Sequence, residues 1–307
     1  MHLVVDVGNT ESVVGLFTPG SLEPNRVWRY STATPRTADE LLLLLRAFLG
    51  QARVGEAGTG EPGTGETGTR EAGTREAGTR EAGAGGDGAP RIVRATVGSV
   101  VPAQTDLLRA ALGRLVQGAV HVVGGAVGGT RLPIRLDVEE PRTVGADRIV
   151  NTLAAAHLYA KDTVVVDLGT ATTYDCITAD GVFMGGVIAP GLQSGQEWLA
   201  SRTAKLPRVE LQPPVRVIGR RTEACLQSGI FYGAVDAMDG IVRRILEEWG
   251  RPEALVVGTG GLAPVLVPHS STVHRVEPWL TLIGLELAGA HFEAMADGSV
   301  AAPRLRG

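Results

Sequence analysis

Lysine and cysteine are both scarce in this chain of 307 residues, which has two of each: Lys161, Lys205, Cys176 and Cys225. Neither lysine lies in a GxxxxGKS or GxxxxGKT pattern, so the sequence excludes a P-loop nucleotide site. Two cysteines are too few for a disulfide framework, and their spacing matches no zinc site. We expect both to be small buried apolar residues.

Long apolar runs are also absent. No run approaches the roughly 18 residues of a membrane helix, and the first residues resemble no signal peptide. We therefore expect a cytoplasmic protein with no membrane partner. The net charge is −4, and residues 55–90 carry all of it with six Glu, one Asp and three Arg. The neutral remainder has no basic face of the kind that binds nucleic acid.

Residues 55–90 form a low-complexity segment in which EAGTR occurs twice, at Glu71 and at Glu76. No residue in the segment is more apolar than Ala or Pro. Ordering it would cost backbone entropy with no burial to offset that cost. We expect a disordered surface insertion that the fold does not need.

One short pattern occurs twice, as VVDVGNT from Val4 and as VVDLGTATTYD from Val165, 161 residues later. Each copy is an apolar strand that ends in an acid, followed by a turn of Gly and small polar residues. A second apolar stretch follows each turn, which predicts two β-hairpins. Two such hairpins can hold the phosphates of a nucleotide and their metal between two halves, so the repeat indicates a duplicated phosphotransferase.

The remaining pattern alternates strands and helices. We predict strands near 2–7, 11–17, 26–31, 92–98, 119–123, 163–167, 172–178, 182–188, 254–258 and 273–276. We predict helices near 38–52, 102–116, 145–160, after Pro190, 222–249 and 279–296. In each half, three strands are followed by three helices and two further strands, which predicts a duplicated α/β fold with mixed sheets and a ligand cleft between the halves.

Three acids are candidates for the chemistry. Asp6 and Asp167 end apolar strands, where a carboxylate is costly unless it meets a cation or hydrogen-bond donors. Mg²⁺, which prefers few carboxylates plus water and phosphate oxygens, suits that arrangement. The alternative is two plain hairpin turns, since Asn and Gly are common there.

Asp147 opens a predicted helix after Gly145 and precedes Arg148. Its carboxylate could accept the proton of a substrate hydroxyl, and the arginine could pair with an anionic substrate group. The alternative is an acid that only complements the helix dipole.

Six segments together resemble the type III pantothenate kinases of the acetate and sugar kinase/Hsp70/actin superfamily. They are DVGNT at Asp6, GADRIVN at Gly145, DLGTATTYD at Asp167, GGVIAPG at Gly185, IGRRTEACLQSGIFYG at Ile218 and TGG at Thr259. The resemblance implies an α/β fold of duplicated RNase H-like (actin-like ATPase) domains with mixed sheets and an interdomain nucleotide cleft. We place the first domain at residues 1–160 and the second at 161–307.

The resemblance further implies ATP-dependent phosphorylation of pantothenate to 4'-phosphopantothenate, the first step of coenzyme A biosynthesis. It makes Asp147 the catalytic base and Asp167 the ligand of a monovalent cation, K⁺ or NH₄⁺. Asp6 would bind Mg²⁺. The implied ATP-binding residues are Asp6, Val7, Gly8, Asn9, Thr10, Glu11, Ser12, Val13 and Thr170. The implied substrate-binding residues are Gly145, Ala146, Asp147, Arg148 and Thr222.

The resemblance also implies a homodimer with the substrate pocket near the subunit interface. Two alternatives stay open. One is another small-metabolite kinase of the superfamily, such as a sugar or acetate kinase. The other is a regulator that binds ATP without turnover, against which the sequence offers neither a helix-turn-helix segment nor a basic face.

Overall fold

The computed structural model describes residues 1–52, 90–124, 132–203 and 206–299. The predicted insertion at 55–90 lies outside the described residues except for Pro90. The strands are β1 (His2–Val7), β2 (Glu11–Phe17), β3 (Pro24–Ser31), β4 (Arg94–Ser99), β5 (Val120–Val123), β6 (Arg135–Leu136), β7 (Thr163–Leu168), β8 (Ala171–Ile177), β9 (Val182–Pro190), β10 (Leu255–Thr259) and β11 (Arg275–Val276).

The helices are α1 (Ala38–Gln51), α2 (Pro102–Gly113), α3 (Ala146–Tyr159), α4 (Leu192–Arg202), α5 (Thr222–Trp249), α6 (Ala263–Leu266) and α7 (Leu280–Ala296). Short 3₁₀ helices span Pro141–Thr143 and Val267–His269. Among the described helices, none combines the length and the apolar character needed to cross a bilayer.

The strands form two mixed sheets. The first has the order β3-β2-β1-β4-β5, in which β1, β4 and β5 are parallel and β2 is antiparallel to both neighbours. In the second, β9-β8-β7-β10-β11 repeats that order and those directions. The predicted duplicated α/β fold with mixed sheets is therefore confirmed.

Two details differ from the predictions. The strand β6, which pairs in parallel with β9, was not predicted, because two residues are too few to show alternation. The prediction of buried cysteines is wrong for Cys225, which is exposed, and Cys176 is only partly buried. The Cys225 Sγ lies 3.3 Å from the carbonyl oxygen of Gly219, as a surface side chain.

Alternate residues of β1 pack on opposite faces of the first sheet. Leu3 and Val5 belong to a core that α1 and α2 cover, whereas Val4 belongs to the core of α3 and α7. The second sheet follows the same rule, with Val164 facing α5 and Val165 facing the core of α3 and α7. The pair α3–α7 thus lies between the two sheets.

The alternation also explains the positions of the two strand-ending acids. Asp6 lies two residues after Val4, and Asp167 lies two residues after Val165, so each points to the face of its own sheet that meets α3 and α7. The duplicated strands therefore direct both carboxylates toward the space between the sheets.

A buried charge network holds α7 on the first sheet. Arg94 of β4 is 2% exposed and pairs with Glu286 and Glu293 of α7, the latter at 2.6 Å between Nη1 and Oε2. His2 of β1 also contacts Glu286, at 2.7 Å. Removing Arg94 would leave the buried Glu286 carboxylate without its guanidinium partner, so the network ties α7 to the first sheet.

A carboxylate on α5 fixes the loop that follows Val267–His269. Asp239 is 6% exposed and accepts hydrogen bonds from Ser270 Oγ at 2.5 Å, Ser271 N at 2.8 Å and Thr272 Oγ1 at 2.8 Å. Burial alone would raise the pKa of Asp239, but these hydrogen bonds outweigh it and lower the pKa to about 2. The ionised form therefore stabilises the fold.

We expect Asp239→Asn to lower the free energy of unfolding by roughly 2 kcal/mol at neutral pH. The folded pKa lies below the unfolded value, so this stability is present above about pH 4 and is lost as the pH falls toward about 2. Urea unfolding at pH 7 and acid unfolding measure both effects. Asp236→Asn, at an exposed position of the same helix, should change stability by less than about 0.5 kcal/mol. Equal losses in the two variants would contradict the role of Asp239.

Candidate active site

A cleft of about 400 Å³ lies where β1 and β7 end. Predicted site residues in its lining are Asp6, Val7, Gly8, Asn9, Thr10, Glu11, Val13, Asp147, Asp167 and Thr170. The other lining residues are Arg29, Val100, Leu168, Gly169, Ala171, Thr173, Gln193, Thr259, Gly260, Gly261, Leu262, Pro278, Trp279, Thr281 and Leu282. Both halves of the chain therefore contribute to one cleft.

The two hairpin turns meet across this cleft. Thr170 Oγ1 donates a hydrogen bond to Thr10 Oγ1 at 3.1 Å, although the residues are 160 positions apart. Each turn is closed by its glycine, since Gly8 N donates to the carbonyl of Glu11 and Gly169 N to that of Ala171, both at 3.1 Å. The repeated sequence thus places two sets of small polar groups face to face.

Three carboxylates share the cleft, one each from β1, α3 and β7. Burial and, to a smaller extent, the negative charges of Asp147 and Asp167 together raise the pKa of Asp6 to about 8. Burial and Asp147 likewise raise the pKa of Asp167 to about 6. Neighbouring carboxylates that repel one another in a buried site favour the binding of a cation.

Asp147 occupies the first turn of α3. Its Oδ1 accepts a hydrogen bond from Arg148 N at 2.8 Å, so the carboxylate lies over the amino end of its own helix. A Cβ at position 145 would approach this oxygen to 2.3 Å, so only glycine leaves room for that conformation. The GAD segment therefore fixes one carboxylate oxygen and leaves the side chain partly exposed to the cleft.

Arg148 turns away from the cleft lining. Its Nε donates to Asp175 Oδ1 at 2.7 Å, and its guanidinium lies 4.9 Å from the centre of the Phe183 ring. Asp175 is fully buried, and burial raises its pKa to about 7 although Arg148 lowers it. The structure therefore places this arginine in a buried ion pair beside the cleft.

Several other predicted site residues do not line the cleft. Ser12 is buried, with its Oγ 2.7 Å from Thr32 Oγ1. Gly145 and Ala146 lie behind Asp147, outside the lining. Thr222 is exposed at the first position of α5. These residues are not in the cleft of a single chain.

A relay of two polar residues, absent from the sequence predictions, supports Asp167. Asn151 Nδ2 donates to Asp167 Oδ2 at 3.3 Å, and Thr281 Oγ1 donates to Asn151 Oδ1 at 2.9 Å. Asn151 lies four residues after Asp147, hence on the same face of α3, and that spacing could have identified it. Thr281 belongs to α7, and the sequence contains no comparable signal for it.

The TGG segment after β10 packs directly against Asp167. Gly260 has a φ of +86°, which L side chains rarely adopt. A Cβ there would lie 2.5 Å from Asp167 Oδ1 and 2.8 Å from Leu168 N. Glycine is therefore required for the close approach of β10 to the end of β7.

Comparison with known proteins places this geometry in context. A family model described as type III pantothenate kinase matches residues 2–60 and 73–244. A type III pantothenate kinase of Frankia alni is 41% identical over 287 residues, which cover 94% of this chain and 98% of the relative. One of Saccharopolyspora erythraea is also 41% identical and covers 94% of this chain and 97% of the relative.

A solved structure from Campylobacter jejuni, whose name places it in the Baf family of transcriptional activators, has the same fold. It covers 97% of this chain and all of its own, with a TM-score of 0.51 and 14% identity. At that identity, the likeness shows the fold alone.

Proposed function

Because the chain belongs to the type III pantothenate kinase family, we propose that the cleft between its sheets is where it transfers phosphate from ATP to pantothenate. The reaction is ATP-dependent phosphorylation of pantothenate in coenzyme A biosynthesis. The two repeated mixed sheets are those of the duplicated RNase H-like fold that the family resemblance implies. Family membership favours pantothenate over the sugar or acetate kinase alternative, and an enzyme over a regulator.

One observation carries the placement of the reaction. Asp6, Asp147 and Asp167 come from three separate elements and line a single cleft, into which the paired turns of Thr10 and Thr170 also project. Carboxylates that can accept a proton or bind cations thus lie beside hydroxyl and amide groups that can donate hydrogen bonds to phosphate oxygens. Phosphoryl transfer needs these two kinds of group together.

In the proposed reaction, the primary hydroxyl oxygen of pantothenate forms a bond to the γ-phosphorus of ATP. The bond from that phosphorus to the bridging oxygen breaks, ADP leaves, and the hydroxyl proton passes to Asp147. The hydrogen bond from Arg148 N orients one carboxylate oxygen, and the other is free to accept the proton. Since such transition states are loose, Asp147 mainly orients the hydroxyl and receives the proton late.

Asp6–Val13 and Thr170 form the proposed ATP-binding set. Asn9 and Thr10 are exposed in the first turn, and Thr170 is exposed in the second, so their polar atoms are accessible to phosphate oxygens. Ser12, whose hydroxyl is buried against Thr32, would support the turn from behind.

Asp6 and Asp167 are the proposed cation ligands. Among the described residues, no group of three or more His, Cys, Asp or Glu is arranged to hold a metal ion. Mg²⁺ bound mainly by phosphates and water needs only one or two carboxylates, which Asp6 fits. When bound, Mg²⁺ neutralises charge on the transferring phosphate. Asp167, oriented by Asn151, would hold K⁺ or NH₄⁺.

Gly145–Arg148 and Thr222 form the proposed pantothenate site, and a homodimer is part of the proposal. The apolar side chains of Val217 and Ile218, a few residues before Thr222, are 66% and 83% exposed, which supports a partner surface near Thr222. Light scattering that gave the mass of one 32.0 kDa chain would contradict the dimer.

The domain division at residues 160 and 161 and the cytoplasmic location stay predictions.

Release of ADP in K⁺ and in Na⁺ buffer tests the proposed cation role. With MgATP and pantothenate, we expect K⁺ to support turnover at least about 10-fold faster than Na⁺, because a buried carboxylate site selects cations by size and dehydration cost. Asp167→Asn should remove that difference. Equal rates in the two buffers for the unchanged protein would contradict a monovalent site at Asp167.

A further inference from the structure

The charge of the cleft lining is strongly one-sided. Asp6, Glu11, Asp147 and Asp167 are acidic, and among the described lining residues Arg29 is the only cation. ATP would bring several further negative charges into this space. A fixed positive group in the lining is therefore of particular importance for holding the polyphosphate.

Arg148, the arginine expected from the sequence to meet an anionic group, is already engaged. Its guanidinium pairs with the fully buried Asp175 and lies against Phe183. Moving it would leave the Asp175 carboxylate buried without its partner, which is costly. A cationic side chain for the polyphosphate, in addition to the Mg²⁺ proposed above, therefore has to come from another residue.

Arg29 stands beside the first hairpin turn. It lies on β3 directly opposite Val13 of β2, and both residues line the cleft. Its Nη1 donates to Glu11 Oε2 at 2.9 Å, with the two side chains 42% and 50% exposed. Exposed ion pairs of this kind contribute little to stability, so the pair with Glu11 does not prevent a second contact. A guanidinium has further N–H donors in a planar fork that suits phosphate oxygens.

We propose that Arg29 binds the β- and γ-phosphates of ATP at the turn formed by Gly8–Thr10. The assignment rests on the proposed function, because it takes the cleft as the ATP site. Glu11 holds the guanidinium at the mouth of the cleft before the nucleotide arrives. The strand β3 thus supplies the positive charge that the two hairpin turns lack.

Calorimetric titration of Arg29→Gln with MgATP and with AMP tests this proposal. The expected result is an ATP dissociation constant raised by about 10- to 100-fold and an AMP dissociation constant changed by less than about twofold. Arg29→Lys should recover part of the ATP affinity, since it keeps the charge and loses the fork. Arg26→Gln, at an exposed position of the same strand outside the cleft lining, is the matched control and should bind ATP as the unchanged protein does.

Unchanged ATP affinity in Arg29→Gln would overturn the proposal, and so would an equal loss of affinity for ATP and AMP. Because the titration needs no pantothenate, it remains decisive if the protein fails to phosphorylate that substrate. Conversely, if the unchanged protein phosphorylates pantothenate and Arg29→Gln binds ATP with unchanged affinity, the proposed function stays intact and Arg29 has no part in it.

Discussion

Asp147→Asn is expected to lower kcat by about 100-fold or more while the ATP dissociation constant stays within about twofold. Asparagine can still accept the hydrogen bond from Arg148 N, which now holds the carboxylate at 2.8 Å, so the helix turn should keep its shape. The variant loses only the ability to take the hydroxyl proton and the negative charge that orients the hydroxyl. Steady-state rates with saturating MgATP and pantothenate measure kcat, and calorimetry measures ATP binding.

Asp106→Asn provides the matched control for this substitution. Asp106 is an exposed acid on α2 that does not line the cleft, so its variant should keep full turnover. Near-normal kcat in Asp147→Asn would remove Asp147 from the role of base. Loss of ATP binding together with kcat would instead assign it to the nucleotide site.

Gly260→Ala is expected to lower kcat/KM by about 100-fold, because a displacement of about 1 Å at a reacting centre has effects of that size. The added Cβ would lie 2.5 Å from Asp167 Oδ1 and 2.8 Å from Leu168 N. The backbone of β7 cannot move aside easily, so the Asp167 carboxylate or the TGG segment must shift. The variant should lose its activation by K⁺ along with its rate.

The left-handed backbone at Gly260 would itself strain an alanine, so a control must separate strain from collision. Gly20 has a similar φ of +83°, and a Cβ there would meet no atom within 4 Å. Gly20→Ala should therefore lose about 1 kcal/mol of stability and keep its activity. Full activity in Gly260→Ala would show that Asp167 does not need its present position, and matched activity losses in the two variants would point to backbone strain alone.

The duplicated architecture could be predicted because its signals are local. Each apolar strand, its terminal acid and its glycine turn lie within a few neighbouring residues, and the two copies reinforce each other. Period-two alternation then fixes which face of the sheet Asp6 and Asp167 share with Val4 and Val165. The convergence of the two acids follows from that rule once the sheets are known to enclose α3 and α7.

The partners of these residues could not be predicted, because they come from distant parts of the chain. Thr281 reaches Asn151 from 130 residues away, through a helix whose apolar pattern does not say which sheet it will cover. The GADR segment alone assigns Arg148 to the substrate. In the structure, Arg148 instead pairs with Asp175. Arg29 enters the cleft only through its cross-strand position opposite Val13.

The measurement that tests the central claim most directly is the identity of the phosphorylated product. Purified protein would be mixed with MgATP in K⁺ buffer and offered pantothenate, glucose or acetate in separate reactions, with mass spectrometry of each acceptor and quantification of ADP. The account predicts phosphopantothenate and ADP in equal amounts, with no product from glucose or acetate. Release of ADP without phosphopantothenate, or phosphate on another acceptor in its place, would contradict it.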